Sequence, residues 1–257
     1  MIPKIINYCW FGGNEPPSSF TKILESWKHF CPDYQIIRWD ETNYYLNSNP
    51  YLRVAFNERN FAFVSDYARL DIIRKHGGIY LDVDVELIRS LDEIVEKGPF
   101  FAMEEVDQVN TGLAFGADKN NKTINELCRL YEKMDVAQSQ RVLRESNTVE
   151  IITKYLHQKG FKFNGRTQLV NGFTIYRPSV FCPLQYGEIH PKIKADTVSI
   201  HHYNGSWVNT SDLSQEAQLR HARVARKMKK ILGVTVFSWI KDIYSPLFGR
   251  KKKSQTS

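Results

Sequence analysis

An α/β fold organised around a parallel sheet is what the amino-acid sequence predicts, and three observations predict it. A β-rich run from Lys4 to Trp10, a helical pattern opening at Pro16-Pro17-Ser18-Ser19 and a second β-rich run from Tyr34 to Trp39 follow at strand–helix–strand spacing. A further helical face, Phe63, Tyr67, Leu70 and Ile73, ends at His76-Gly77-Gly78 and passes straight into the short apolar run Ile79-Tyr80-Leu81. That run delivers Asp82 and Asp84 at its carboxyl end, where open α/β sheets bind their ligands.

The elements follow in order from local chemistry. Phe11-Gly12-Gly13 closes the first strand, and Phe20, Ile23, Leu24 and Trp27 give the first helix one apolar side. Pro32-Asp33 stops that helix before the second strand. Asp40 to Asn60 reads as loop-rich, and the Gly after His76 supplies a left-handed cap to the next helix. Beyond the aspartates the sequence predicts strands at Phe100 to Glu104 and Gly112 to Phe115, and helices near Thr123 to Met134 and Thr148 to Gln158. β-like runs follow at Phe173 to Tyr176 and Thr197 to His201. From Ser214 the pattern is helical, interrupted at Gly233 and ended at Pro246.

Composition narrows the function. With 257 residues, 42% hydrophobic, the chain can bury one substantial core, so we expect one catalytic domain over residues 1–212 and a helical tail over 213–257. The net charge of +7 is unevenly spread: residues 220–257 hold eleven Lys and Arg against Asp242 alone, while residues 1–219 hold 24 against 27. A mildly acidic body argues against nucleic acid as a partner. The four cysteines, Cys9, Cys31, Cys128 and Cys182, show no metal-ligand spacing and read as buried free thiols. No signal-peptide pattern and no bilayer-spanning run is seen, which leads us to expect a cytoplasmic protein.

Asp82 and Asp84 flank one residue. On an extended strand they would face the same side, two hard oxygen donors suited to Mg²⁺ or Mn²⁺ that could bridge to substrate phosphates. A bare D-x-D is more often a solvated strand end, but its place after a Gly-Gly cap and an apolar strand favours the metal reading. Asp66 and Arg69, at i and i+3 on the preceding helix, are either a surface ion pair or a carboxylate and guanidinium reaching the same cleft to hold sugar hydroxyls and diphosphate. Trp10, at a strand end, is by itself more often core than ligand platform. His29, His76, His157, His190 and His221 have no spacing that argues for a site.

Three segments, Ile2 to Gly13 (IPKIINYCWFGG), Phe63 to Glu86 (FVSDYARLDIIRKHGGIYLDVDVE) and Ile200 to Trp207 (IHHYNGSW), resemble glycosyltransferase family 32 and look similar to the catalytic domains of clostridial glucosylating toxins. The resemblance spans roughly residues 1–210. It implies a GT-A-like (Rossmann-like) nucleotide-sugar-binding domain, a divalent metal (Mn²⁺ or Mg²⁺) and transfer with retention. By position, Trp10 would stack on the donor base, Asp66 and Arg69 would hold sugar and phosphate, and Asp82 and Asp84 would organise the metal. Val109-Asn110-Thr111-Gly112 is similar to the Asn-Ala-Gly element of related transferases, which makes Asn110 a catalytic candidate, with Thr111 as a departure. His202 would be the third metal ligand, with His201 the alternative, and Ser206 and Trp207 would touch the diphosphate.

The expected reaction is hexose transfer from a nucleotide sugar, with UDP-sugars preferred, to a polysaccharide or lipid-linked oligosaccharide acceptor, as in capsular polysaccharide synthesis. Two alternatives stand beside it: a toxin- or effector-like enzyme that modifies a protein, and a metal-dependent nucleotide-binding or phosphohydrolase protein that transfers no sugar. The basic amphipathic tail, with Val224, Met228, Ile231 and Leu232 beside five cations, either lies on an anionic membrane surface or packs on the body.

Overall fold

The computed structural model describes residues 1–203 and, beyond them, residues 224, 226–229, 231, 233 and 234. By contacts the chain divides into one unit, Met1–Val208, and a second, Asn209–Ser257. The first unit is built on a mixed eight-stranded sheet. β1 (Ile5–Cys9) pairs in parallel with β2 (Gln35–Trp39) and with β3 (Gly78–Tyr80). β7 (Phe115–Ala117) then runs antiparallel between β3 and β5 (Phe100–Glu105), and β5 pairs in parallel with β9 (Phe173–Tyr176). β8 (Gln168–Val170) closes that edge, and β6 (Gln108–Val109) folds back on β5. A separate ribbon joins β4 (Val85–Leu87) to β10 (Ser199–His201). The α/β class expected from the sequence agrees with this arrangement, with a sheet that is mixed and parallel at β2-β1-β3 and β5-β9.

Strand alternation sorts the side chains into two cores. Tyr80, Phe101 and Met103 face a cluster shared with α2 (Pro50–Asn57), α3 (Phe61–His76), α5 (Lys122–Glu132) and α7 (Thr148–Gln158). Ile79, Phe100 and Ala102 face the other, shared with α1 (Ser19–Phe30), α4 (Asp92–Glu96) and α8 (Pro178–Phe181). Helix α6 (Val136–Glu145) carries an Asp135–Gln138 capping box. All four cysteines are buried and free.

Two expectations need correction. The loop-rich stretch contains α2, which begins with the Asn49 side chain accepting from the Leu52 N–H and Pro50 in the first turn. That cap and Pro are a helix-start signal, but ten polar residues among the thirteen that flank it between Asp40 and Asn60 masked a helix of only two turns. The strand placed at Gly112 to Phe115 starts later, at Phe115, because Gly112 is taken up in a turn against Asp82. The expected helical tail lies almost wholly outside the described residues; of it, residues 224, 226–229, 231 and 234 are helical. Among the described residues no helix is long and apolar enough to cross a membrane.

Candidate active site

Helix α3 packs on the sheet with most of its length buried, so polar side chains on it are buried too. Asp66 and Arg69 come from successive turns of that helix, and both are buried. The α3 helix ends at Gly77, whose φ of +70° and whose Cβ position 2.9 Å from the Lys119 nitrogen admit only glycine. The chain can then enter β3 beneath the same helix, which brings Tyr80 and Asp82 back against Arg69.

Arg69 is the hub. Its Nη1 lies 3.3 Å from Asp66 Oδ1 and its Nη2 3.3 Å from Asp82 Oδ1, with the guanidinium carbon 5.0 Å from the centre of the Tyr80 ring. The Tyr80 hydroxyl donates to Asp82 Oδ1 at 2.9 Å. The Arg69 and Asp66 side chains are 6% and 11% exposed, which decides between the surface-pair and cleft readings in favour of the cleft. Arg69 Nε is buried and has no hydrogen-bond partner among the described residues. Burial pushes the Asp66 carboxyl up to about 7 against the pull of Arg69, and the neighbouring Asp82 adds to the rise. Asp82 is raised in the same direction, first by burial, with Arg69 opposing and Asp84 reinforcing.

The aspartate pair does not lie on an extended strand. β3 ends at Tyr80, and Asp82 to Val85 form a tight turn in which the Val85 N–H donates to the Asp82 carbonyl at 3.1 Å. The premise that residues i and i+2 share a strand face therefore fails here. The turn separates the two carboxylates by partner: Asp82 faces Arg69 and Tyr80, and Asp84 faces His201, whose Nε2 is 3.3 Å from Asp84 Oδ1.

The β10–β4 ribbon sets the two histidines apart. His201 pairs with Val85 in the antiparallel register and turns inward, while the next residue points to the opposite face, where His202 Nε2 lies 2.7 Å from Glu86 Oε2. Burial alone would lower His201, but the Asp84 carboxylate, with Cys182 and Glu104 adding to it, holds the imidazole well above its ordinary value. His201 thus brings its imidazole to the Asp84 carboxylate, and the His202 N–H donates to the Asp84 carbonyl at 3.0 Å.

Gly112 closes the turn from the far side. The Asp82 N–H donates to its carbonyl at 2.9 Å, and its own N–H donates to Asn110 Oδ1 at 2.7 Å. The Asn110 Nδ2 donates in turn to Glu104 Oε2 at 3.0 Å. Above this floor opens a cleft of about 400 Å³. Trp10, half-buried at the end of β1, lines it with Phe61 and Phe63 of α3 and with Asn147, Thr148 and Val149 at the start of α7. The Trp10 indole N–H donates to the Asn14 carbonyl at 2.6 Å, which fixes its orientation. Cys9 also lines the cleft, but burial pushes its thiol up to about 12, so it is a packing group and no nucleophile.

Of the sequence-predicted residues, Trp10, Asp66, Arg69, Asp82 and Asn110 line this one cleft, and Asp84 adjoins it through the turn and His201. Ser206 and Trp207 lie outside the described residues. Sequence reasoning missed Tyr80 and Glu104. Tyr80 stands two residues before Asp82, and Glu104 stands near the carboxyl end of β5, the position rule that identified Asp82. Among the described residues no group of three or more His, Cys, Asp or Glu side chains is gathered as a metal cage. Asp82 and Asp84 share one turn but face different partners, Arg69 with Tyr80 and His201 respectively.

Comparison with known proteins finds that residues 17–101 match the family model described as a glycosyltransferase sugar-binding region containing a DXD motif. An uncharacterized glycosyltransferase of Acanthamoeba polyphaga mimivirus is 31% identical over 122 residues, which are 45% of this chain and 49% of that protein. Inositol phosphoceramide mannosyltransferase 3 of Schizosaccharomyces pombe is 31% identical over 98 residues, 37% of this chain and 27% of the relative. The chain thus spans about half the length of the first relative and less of the second. Among solved structures, PaToxG glycosyltransferase aligns at 20% identity with a TM-score of 0.47, covering 62% of this chain and 69% of the other. A glycosyltransferase involved in glycosylation of the major capsid of PBCV-1 aligns at 12% identity and a TM-score of 0.41, covering 85% and 100%.

Proposed function

We propose that this chain, whose residues 17–101 match the model of a glycosyltransferase sugar-binding region containing a DXD motif, is a glycosyltransferase that moves a hexose from a nucleotide sugar to a polysaccharide or lipid-linked oligosaccharide acceptor. The observation that carries the reading is the buried Arg69, clamped between Asp66 and Asp82 at the floor of an aromatic-walled cleft. Breaking a sugar–phosphate bond leaves negative charge on the diphosphate and positive charge near the anomeric carbon, so the site needs fixed charges of both signs a few ångströms apart. Arg69 and its two carboxylates supply them without reorganising, since each is already held by the other.

In this reading Trp10 carries the base of the donor, the Arg69 guanidinium faces the phosphates and the Asp66 and Asp82 carboxylates accept from sugar hydroxyls. A divalent ion, Mn²⁺ or Mg²⁺, held by Asp82 and Asp84 with His201 or His202 as third ligand, would supply further positive charge to the leaving diphosphate. Transfer is read as retaining. Asp66 and Asp82 are both tied to Arg69, which makes either a poor nucleophile and favours removal of the acceptor proton by the leaving phosphate. Residues 1–212 would hold the catalytic machinery and residues 213–257 a basic tail that draws the enzyme to an anionic membrane surface, in keeping with a lipid-linked acceptor.

The test is product analysis with UDP- and GDP-sugars, with and without chelator. We expect release of nucleoside diphosphate coupled to a sugar-bearing product, and its loss on chelation. The fission-yeast relative is named a mannosyltransferase, so mannose donors belong in the panel beside the UDP-hexoses we favour. Hydrolysis of a nucleotide to inorganic phosphate, or of the donor to nucleoside monophosphate and sugar 1-phosphate, with no sugar transferred to an acceptor would refute the proposal and support a phosphohydrolase.

A further inference from the structure

Glu104 has no part in the sequence motif, yet it is built into the floor of the cleft. It stands near the end of β5 and accepts from Asn110 Nδ2 at 3.0 Å, while Asn110 Oδ1 accepts from the Gly112 N–H at 2.7 Å. These partners settle the amide's orientation: a backbone N–H can only donate and a carboxylate oxygen only accept, so the oxygen of Asn110 faces Gly112 and its nitrogen faces Glu104. One amide proton remains for the cleft that Asn110 lines. Gly112 is the residue whose carbonyl receives the Asp82 N–H, so Glu104, Asn110, Gly112 and Asp82 form one hydrogen-bonded chain ending in the DXD turn.

A second contact ties the same carboxylate to the other side of the site. The Tyr203 hydroxyl faces Glu104 as well as Cys182, whose Sγ is 3.2 Å away, and the Tyr203 ring packs on His201 with centroids 4.1 Å apart. Tyr203 holds a φ of +54°, a left-handed conformation that an aromatic residue adopts only when its surroundings impose it. Glu104 therefore holds the Asn110 arm that reaches Asp82 and faces the tyrosine that packs on the histidine beside Asp84.

We propose that Glu104 is a positioning residue for sugar transfer: it holds the donor end of the Asn110 amide so that its remaining N–H is presented to the bound sugar. The proposal rests on the glycosyltransferase reading. Without Glu104 the amide pivots on its single bond to Gly112, and the geometry needed in the transition state is populated only part of the time. Glu104 acts through Asn110, so its effect must vanish when Asn110 is absent, which an ordinary structural role would not produce.

The experiment is a double-mutant cycle on kcat and donor KM with Glu104→Ala, Asn110→Ala and both, with melting curves on each, and Glu104→Gln as the conservative variant. We expect E104A to melt like the parent and to lose roughly tenfold or more in kcat with donor KM changed by less than about threefold. In the N110A background E104A should cost nothing further, and E104Q, whose amide oxygen still accepts from Asn110, should recover most of the loss. If E104A is destabilised too far to read, E104Q and its cycle with N110A carry the test, and an undiminished E104Q is again the supporting result. Full activity in E104A, additive losses in the double variant, or an E104Q as defective as E104A would each overturn the positioning role, the last by showing that charge is what matters. If the parent protein moves no sugar from any donor, the glycosyltransferase reading falls first and the role of Glu104 falls with it.

Discussion

Replacing Gly112 by Ala tests the cleft floor with a single methyl. Gly112 is not in a left-handed conformation, so alanine brings no backbone strain, and the whole effect is steric. The added Cβ would overlap Asp82 Oδ2 outright and would stand 2.9 Å from Arg69 Nη1 and 3.1 Å from Asn110 Oδ1. Carbon to heavy-atom contact is comfortable near 3.5 Å, so the Asp82 carboxylate must withdraw by more than about 1 Å. It cannot do so freely, because Oδ1 holds the Tyr80 hydroxyl at 2.9 Å and Arg69 at 3.3 Å. Overpacking of this kind costs about 1–3 kcal/mol of stability, which a domain of this size survives. A displacement of about 1 Å in a catalytic group costs on the order of 100-fold in rate. We therefore expect G112A to remain folded, to bind free nucleoside diphosphate nearly as the parent does and to lose about two orders of magnitude in kcat. Thermal melting, calorimetry with the nucleotide and turnover of the nucleotide sugar measure these in turn. A folded G112A variant with undiminished turnover would refute the claim that the Asp82 carboxylate works from the position described here.

Asp82→Asn and Asp84→Asn should each nearly abolish transfer while the protein still melts cooperatively, because each removes charge rather than packing volume; substantial activity in either, or full activity in chelator, would sink the metal assignment. Trp10→Ala should weaken nucleotide binding by roughly 1–3 kcal/mol, with Phe recovering part of it, and an unchanged affinity by calorimetry would return Trp10 to the core. Asp66 makes stability depend on pH. Its folded-state value of about 7 lies above that of an unfolded Asp, so the folded state holds the proton more tightly. The contribution is present in full below about pH 4 and is lost as pH rises toward 7, amounting to a few kcal/mol. Asp66→Asn should remove that slope in urea-unfolding curves taken across the interval, and an identical slope in parent and variant would refute it.

The parts of this molecule legible from sequence are those in which one short-range rule acts alone. α7 is found at the residues expected, Thr148–Gln158, because its apolar spacing and the Asn147 cap agree. α3 ends where Gly77 must end it, since no other residue accepts both that φ and the Pro3 and Lys119 contacts. α2 was not legible: its two turns gain their stability from burying Tyr51, Leu52 and Ala55 against partners far away in sequence, and the local pattern is too short to announce it.

The site was legible as an address and illegible as geometry. Asp82 and Asp84 were located from the strand-end rule, which depends only on topology. Their side-chain directions were argued from strand alternation, and the turn at Asp82 to Val85 removed that premise, sending one carboxylate to Arg69 and the other to His201. The histidine question behaves in the opposite way. No local rule distinguishes His201 from His202, but once β10 is paired with β4 the alternation rule does, and it turns His201 inward beside Asp84. The same long-range pairing explains why Glu104 escaped notice: a glutamate at the end of an apolar strand is unremarkable until Gly112 fixes one end of the Asn110 amide and leaves the other pointing at it. Residue types thus announce that phosphate and sugar can be held here, while the partner each charge will choose is decided by contacts between segments dozens of residues apart.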